Sequence, residues 1–361
     1  MIRYPVDADV ASARVLDPAF YADPAAWAAV RERVFARSWQ WLDDLGAVAE
    51  RGSLAPRALL PGLLDEPLLL ARDGEGALRC LSNVCTHRGN VLVHADCAAD
   101  AIRCRYHARR FDLAGRVLSS PGFEGLPGFP APSDDLPQAQ LRTWAGLAFA
   151  ALDPAESWDA TFGDAVRATS ALPLDALVRD PKRDRDFEVR AHWALYVENF
   201  LEGFHVPYVH PELAKEIVLP DYRVETFAGS VLQVAHAKPG RPAFAPQACG
   251  GERGVAALYW WIFPNLMLNF YPWGLSLNHV QPLGAERTRV VYRGYAWDAA
   301  HAQGGAGGAL DTVEEEDEAI VEAVQRGVRS RLYRAGRYSA RHERGVHHFH
   351  RLLAAALGEQ A

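Results

Sequence analysis

Cysteine is scarce in this 361-residue chain, and several other features that would mark a special class are missing with it. Five cysteines, an odd number at low density, do not make a disulfide framework, so the fold must rest on its own apolar core. There is no basic excess. The formal charge of −7 argues against a nucleic-acid-binding surface, which would need a stripe of lysine and arginine. No apolar run reaches the length of a membrane span, because Leu59–Ala71 is broken by Pro61, Asp65, Glu66 and Pro67. The opening Met-Ile-Arg-Tyr-Pro-Val-Asp-Ala-Asp lacks the basic-then-apolar layout of a secretory signal, and no internal repeat is visible. The expectation is a soluble, cytoplasmic protein with neither nucleic acid nor membrane as a partner.

Nearly half of the residues are hydrophobic, at 49%, enough for a sizeable core, and the length suits two domains. Near the start, Asp23 can cap a helix whose first position is Pro24 and whose face carries Trp27, Val30 and Val34. From about Leu59 to Leu152 the pattern changes to short strands and tight turns. Leu68–Arg72 and Ala77–Ser82 flank Asp73-Gly74-Glu75-Gly76 as a hairpin, Tyr106–Asp112 and Arg116–Ser119 flank a second turn, and Trp144–Leu152 reads as one strand. Further on, Arg185–Ala191, Leu258–Phe270, Ser276–Leu283 and Arg289–Trp297 are strand-like. Trp193–His205 reads as a helix that Pro207 ends or kinks, and Glu314–Val328 and Glu343–Leu357 as helices. The glycines of 304–308 lack the strand-then-helix setting of a dinucleotide site and read as a spacer. Strands with flanking helices, without βαβ alternation, predict an α+β fold with an antiparallel sheet.

Four of the five cysteines lie between residues 80 and 104. Two of them start paired motifs: Cys85-Thr86-His87, and Cys104-Arg105-Tyr106-His107. A Cys₂His₂ set can hold zinc, but zinc fingers group cysteine with cysteine and histidine with histidine. In a [2Fe–2S] centre of Rieske type, two cysteines hold one iron and two histidines the other, which is what two loops with one of each residue would supply. Cys80 and Cys97 have no place in this pattern and read as packing residues.

A second dense cluster follows at Glu198-Asn199-Phe200-Leu201-Glu202-Gly203-Phe204-His205-Val206-Pro207-Tyr208-Val209-His210. Glu202 and His205, three apart, would be neighbours on one helix face, and His210 lies just past the proline. Two histidines with a carboxylate suit a facial triad that holds Fe(II) and leaves positions open for O₂. The rival, a zinc hydrolase, would want H-E-x-x-H, which is absent. The stretch Tyr259, Trp260, Trp261, Phe263, Phe270, Tyr271 and Trp273 is either a cage for a trimethylammonium group or the packed core of a domain.

Cys85-Thr86-His87-Arg88-Gly89 with Cys104-x-x-His107 resembles the Rieske domain of the ring-hydroxylating and demethylating non-haem iron oxygenases. The usual second loop, Cys-Pro-Tyr-His-Gly-Trp, is here Cys-Arg-Tyr-His-Ala-Arg-Arg, which places Arg105, Arg109 and Arg110 beside the cluster. The second segment is similar to the same family's Asn-x-x-Asp/Glu-x-x-His-x4-His motif. The resemblance implies Cys85, His87, Cys104 and His107 around a [2Fe–2S] cluster, and His205 and His210 as ligands of a mononuclear Fe(II). It makes Glu202 the carboxylate that bridges the two centres, with Asn199 beside it. Glu316-Asp317-Glu318-Ala319-Ile320-Val321-Glu322 resembles the family's C-terminal acidic segment and makes Asp317 the remaining iron ligand, with Asp311 and Glu316 as fallbacks. It further implies an N-terminal helical segment over 1–40, an all-β Rieske domain over 41–155, and a helix-grip catalytic domain over 156–361.

Glutamate at the bridge is familiar among relatives that oxidise quaternary ammonium compounds. The implied function is therefore oxygenation of a quaternary ammonium or N-methyl compound with O₂ and electrons from an NAD(P)H-dependent reductase or a ferredoxin, in a head-to-tail homotrimer. An aromatic ring-hydroxylating dioxygenase and a non-catalytic Rieske electron carrier with a ligand-binding domain are the alternatives.

Overall fold

The computed structural model describes residues 4–298, 305–308 and 310–358. The chain divides into two compact units: Trp39–Pro154, and a larger one made of Met1–Ser38 together with Ala155–Ala361.

The smaller unit is built of strands and turns with two single 3₁₀ turns. Its strands are β1 (Gln40–Asp44), β2 (Ser53–Leu59), β3 (Glu66–Arg72), β4 (Leu78–Ser82), β5 (Cys97–Ala98), β6 (Ile102–Arg103), β7 (Arg110–Phe111), β8 (Val117–Ser119), β9 (Gln140–Trp144) and β10 (Leu147–Ala151). They form three antiparallel sheets, ordered β4-β3-β2-β5, β6-β7-β8 and β1-β10-β9. The expected hairpin across Asp73–Gly76 is β3 and β4. The single strand expected over Trp144–Leu152 is instead the hairpin of β9 and β10. Ala145 and Gly146 both take positive φ, 53° and 73°, the left-handed pair that matches the twist of a two-residue hairpin turn. Cys80 is buried as expected, but Cys97 is exposed, because β5 is a two-residue edge strand whose residues are both exposed.

The larger unit starts with α1 (Pro24–Val30), where the Asp23 side chain accepts from the Ala25 N–H and Pro24 occupies the first turn. Then come α2 (Trp158–Ala168), β11 (Val178–Arg179), β12 (Arg185–Val189), α3 (Trp193–Phe200), α4 (Val206–Val209) and α5 (Pro211–Glu216). The remaining elements are β13 (Arg223–Thr226), β14 (Ser230–His236), β15 (Val255–Ile262), β16 (Leu266–Tyr271), β17 (Gly274–Gly284), β18 (Arg287–Ala296), α6 (Leu310–Val328) and α7 (Arg344–Gly358). One antiparallel sheet runs β11-β18-β17-β16-β15-β14-β13, with β12 also on β18. The apolar run expected as one strand over Leu258–Phe270 is two strands, β15 and β16, which pair from Leu258 with Phe270 to Ile262 with Leu266. Among the described residues, no helix is long and apolar enough to cross a membrane.

Register decides which aromatic residues face what. On the face covered by α7, Trp261 meets Phe349 edge-on at 5.3 Å, and Phe349 meets Trp193 of α3 at 5.6 Å. Trp260 and Phe270 are fully buried core residues. Gln233, Tyr259 and Asn269 stand opposite one another on β14, β15 and β16, as do Asn278 and Tyr292 on β17 and β18. The aromatic stretch is therefore split between packing and cavity wall. The glycine-rich turn at Gly305–Gly307 is more than a spacer: a Cβ on Gly307 would come within 2.8 Å of Trp273 Nε1 and of Tyr271 Cγ, so only glycine allows the turn to lie against those rings. Gly304 lies outside the described residues.

Phe349 is fully buried between two tryptophans. Its truncation to alanine is expected to cost about 3–5 kcal/mol, whereas Leu332→Ala, at an exposed position, should fall within about 0.5 kcal/mol of the parent. Urea unfolding of the two variants checks the contrast.

Candidate metal centres

In the smaller unit the two Cys–His loops are built on the same backbone plan. The Gly89 N–H donates to the Cys85 carbonyl at 3.0 Å, and the Ala108 N–H to the Cys104 carbonyl at 3.1 Å. Each turn closes on a residue with positive φ, 70° at Gly89 and 60° at Ala108. Each also ends in a reverse pairing, Cys85 N–H to Asn90 carbonyl and Cys104 N–H to Arg109 carbonyl, both at 2.9 Å. That second turn is why the strand expected from Tyr106 starts only at Arg110.

Cys85 and Cys104 are buried and hydrogen-bonded to each other. Burial pushes the Cys104 thiol up, but the N–H groups of Tyr106 and His107, with Cys85 and the Asn90 amide, outweigh it and lower its pKa. The rings of His87 and His107 lie with centroids 4.7 Å apart, and the Nδ1 atom of each is buried without a hydrogen-bond partner. Two buried ring nitrogens left bare, beside two thiols, one of them primed to ionise, are what a two-cysteine, two-histidine iron–sulfur cluster requires.

Of the three arginines, Arg105 and Arg110 are exposed, while Arg109 is buried. Its guanidinium stacks on Phe123 and Phe129 at 4.9 and 5.2 Å and donates to the hydroxyls of Ser120 and Thr86, each at 3.2 Å. Asp134 stands 3.6 Å away as its counter-charge. Arg109 thus ties the Cys104 loop to Thr86 of the other loop.

In the larger unit, α3 ends at Phe200. Glu202 and His205 do not share a helix face as expected. They sit in a turn, and Pro207 opens α4 rather than closing α3, since proline is tolerated in a first helical turn. The Glu202 carboxylate accepts from the N–H groups of Phe204 and His205 and holds His205 Nδ1 at 2.6 Å. His210, buried at the end of α4, has its Nδ1 2.7 Å from Glu316. Helix α6 brings Asp317 to the same point, and is fixed by Glu322 and Gln325, which accept from the N–H groups of Arg190 and His192.

His205 Nε2 lies 3.1 Å from His210 Nε2, and Asp317 Oδ1 lies 3.0 Å from His210 Nε2 and 3.6 Å from His205 Nε2. Donors about 2.1 Å from a common ion and at right angles to one another are about 3.0 Å apart. The protonation pattern agrees. With each Nδ1–H donated to a glutamate, neutral imidazoles turn their Nε2 lone pairs to each other and to a carboxylate oxygen, a meeting that a shared metal cation would relieve. Burial opposes charge on His210, yet Asp317 and Glu316 outweigh it and raise its pKa, so the local field favours positive charge there.

Of the sequence candidates, His205, His210 and Asp317 meet at one point. Glu316 holds a ring nitrogen, and Asn199 lines the adjoining cavity. Asp311 is not at the centre; it is exposed and ion-paired to Arg185 at 3.1 Å.

The cavity beside this point encloses about 770 Å³ of space, its mouth included. Its wall includes Tyr196, Tyr222, Tyr259, Tyr271 and Tyr292. Sequence reading missed Glu314, a buried carboxylate in that wall. Tyr196 donates to it at 2.6 Å, Tyr292 donates as well, and burial pushes its pKa up to about 8. The available signal was its spacing: Glu314, Asp317 and Val321 fall on one helix face, so a carboxylate interrupts an otherwise inward stripe.

Residues 174–359 match the model of the ring hydroxylating alpha subunit (catalytic domain) family, and residues 45–130 that of the Rieske [2Fe-2S] domain. The chain is 29% identical over 354 residues to the carnitine monooxygenase oxygenase subunit of Escherichia coli (strain K12), covering 93% of this chain and 91% of that one. It is 28% identical over 342 residues to the chloroplastic choline monooxygenase of Beta vulgaris, covering 92% and 74%. In fold it is similar to a quaternary ammonium Rieske monooxygenase crystallised with L-carnitine, with a TM-score of 0.78, 24% identity and 99% of both chains covered.

Ala108 holds a left-handed conformation that costs an L-residue roughly 1 kcal/mol and glycine almost nothing. Ala108→Gly is expected to stabilise the smaller unit by about 0.5–1 kcal/mol; denaturant midpoints of the two proteins measure it.

Proposed function

Because the chain belongs to the ring-hydroxylating alpha-subunit family, with a Rieske [2Fe–2S] domain ahead of the catalytic domain, and is thus a Rieske non-haem iron oxygenase, we propose that it oxygenates a quaternary ammonium or N-methyl compound with O₂ and two externally supplied electrons. The observation that carries the reading is the meeting of three ligand atoms, His205 Nε2, His210 Nε2 and Asp317 Oδ1, at the edge of a tyrosine-walled cavity.

In this reading Cys85, His87, Cys104 and His107 hold the cluster, and His205, His210 and Asp317 hold Fe(II). When bound, the cluster supplies single electrons and the mononuclear iron supplies open positions where O₂ is reduced. The residues of the chain do the rest. Glu202 and Glu316 fix the tautomer and tilt of the two imidazoles by holding their Nδ1 protons. The tyrosines offer π faces to a methylated cation and leave its carbon beside the metal point. Hydroxylation of an N-methyl carbon, with one oxygen atom going to water, yields a carbinolamine that collapses to amine and aldehyde.

The relatives named for choline and carnitine support the substrate class. The electrons come from a separate reductase or ferredoxin, since no nucleotide-binding motif stands in the sequence. We further propose a head-to-tail homotrimer in which Glu202 links the cluster of one subunit to the iron of the next. Exposed Phe204 and Tyr208, next to Glu202, are apolar surface suited to such a contact.

Anaerobically purified protein should contain about three irons and two acid-labile sulfides per chain, with a Rieske-type EPR signal on reduction. His210→Ala should lower iron to about two and leave sulfide and the signal unchanged. A parent holding only the cluster irons after reloading with Fe(II) would remove the oxygenase site. Glu202→Ala is expected to retain both metals and lose turnover; full activity in that variant would dismiss the bridge.

A further inference from the structure

The cavity reads as a site for one sign of charge only. Among its described lining residues there is no lysine or arginine, while Glu314 stands in the wall with both carboxylate oxygens turned to tyrosine hydroxyls. A neighbouring cleft that shares Tyr292 and Leu310 with this one is lined by Lys182, Arg183 and Arg185, of which the two arginines are ion-paired to Asp180 and Asp311. Resting on the methylated-ammonium reading above, we propose that the substrate is a cation without a carboxylate, a choline-like amino alcohol rather than a zwitterionic betaine, and that Glu314 with Tyr196 and Tyr292 is the group that selects it.

Four further observations support this. A metal held by His205, His210 and Asp317 uses the Asp317 charge, so Glu314 is left without a positive partner in the wall. Burial raises its pKa to about 8, so without a cation beside it the carboxyl is largely protonated near neutral pH, and a bound cation draws it into the charged form. Tyr196 and Tyr292 also donate to a carboxylate, which enriches their rings for a cation lying over them. Finally, Gln233 Oε1 and Asn269 Oδ1 are buried side-chain oxygens with no hydrogen-bond partner, on two residues that line the cavity. They suit a ligand with a hydroxyl to donate. A carboxylate brought to the same place would face Glu314 and these two oxygens with no basic side chain in the described wall to pair it.

Calorimetric titration of the iron-loaded protein with choline, glycine betaine and 3,3-dimethylbutan-1-ol, the uncharged isostere of choline, tests this without turnover. Choline should bind roughly tenfold or more tightly than either of the others. Glu314→Gln should remove choline's advantage over the uncharged alcohol and leave the affinity for that alcohol unchanged. If that variant fails to fold, the parent series still decides. Glycine betaine binding as tightly as choline would overturn the proposal while leaving a quaternary ammonium oxygenase standing. So would a choline advantage that survives Glu314→Gln. If none of the cations binds, the quaternary ammonium reading falls and this proposal with it.

Discussion

Three lone pairs aimed at one point govern the construction of the larger unit. His205, His210 and Asp317 come from a turn, a helix end and a separate helix, and nothing in their own chemistry brings three acceptors together. The fold must therefore impose the meeting. It does so through groups that never reach the metal point: Glu202 and Glu316 hold the far side of each imidazole, and Glu322 and Gln325 clamp α6 to the backbone ahead of α3. An ion bound there would relieve the repulsion that those contacts otherwise withstand, which would link ion binding to folding in this unit.

The smaller unit solves a related problem with less material. Two turns of the same design present one thiol and one imidazole each, and the buried Arg109 fastens one turn to the other. A guanidinium with five donors and a flat face can hydrogen-bond two hydroxyls and stack on two phenyl rings together, which lysine cannot.

Much of this was legible in the sequence, and the reasons differ by element. The pairs Cys85/His87 and Cys104/His107 were readable because ligand type and spacing are local. His205 and His210 were readable for the same reason. Asp317 needed the family resemblance, since an acidic run at a helix start is usually just solvated surface. Glu202 was placed on a helix that ends two residues before it: Pro207 marks a boundary, but whether it ends one helix or starts the next depends on packing around Gly203 and Tyr222 that spacing alone does not reveal. Trp144–Leu152 was read as one strand because a hairpin turn at Ala145-Gly146 lacks the usual asparagine or aspartate. Glu314 was invisible among its acidic neighbours, and only burial singles it out.

Glu314 and Asp317 ride on the same helix, three residues apart, a rise of about 4.5 Å. Loops can drift, but one turn of helix cannot stretch, so these two carboxylates keep a fixed separation through any motion of α6. A charged group docked at one is measured off against whatever the other holds. In the proposed reading the helix acts as a ruler, and the carbon it would set at the metal is chosen by its distance from the charge.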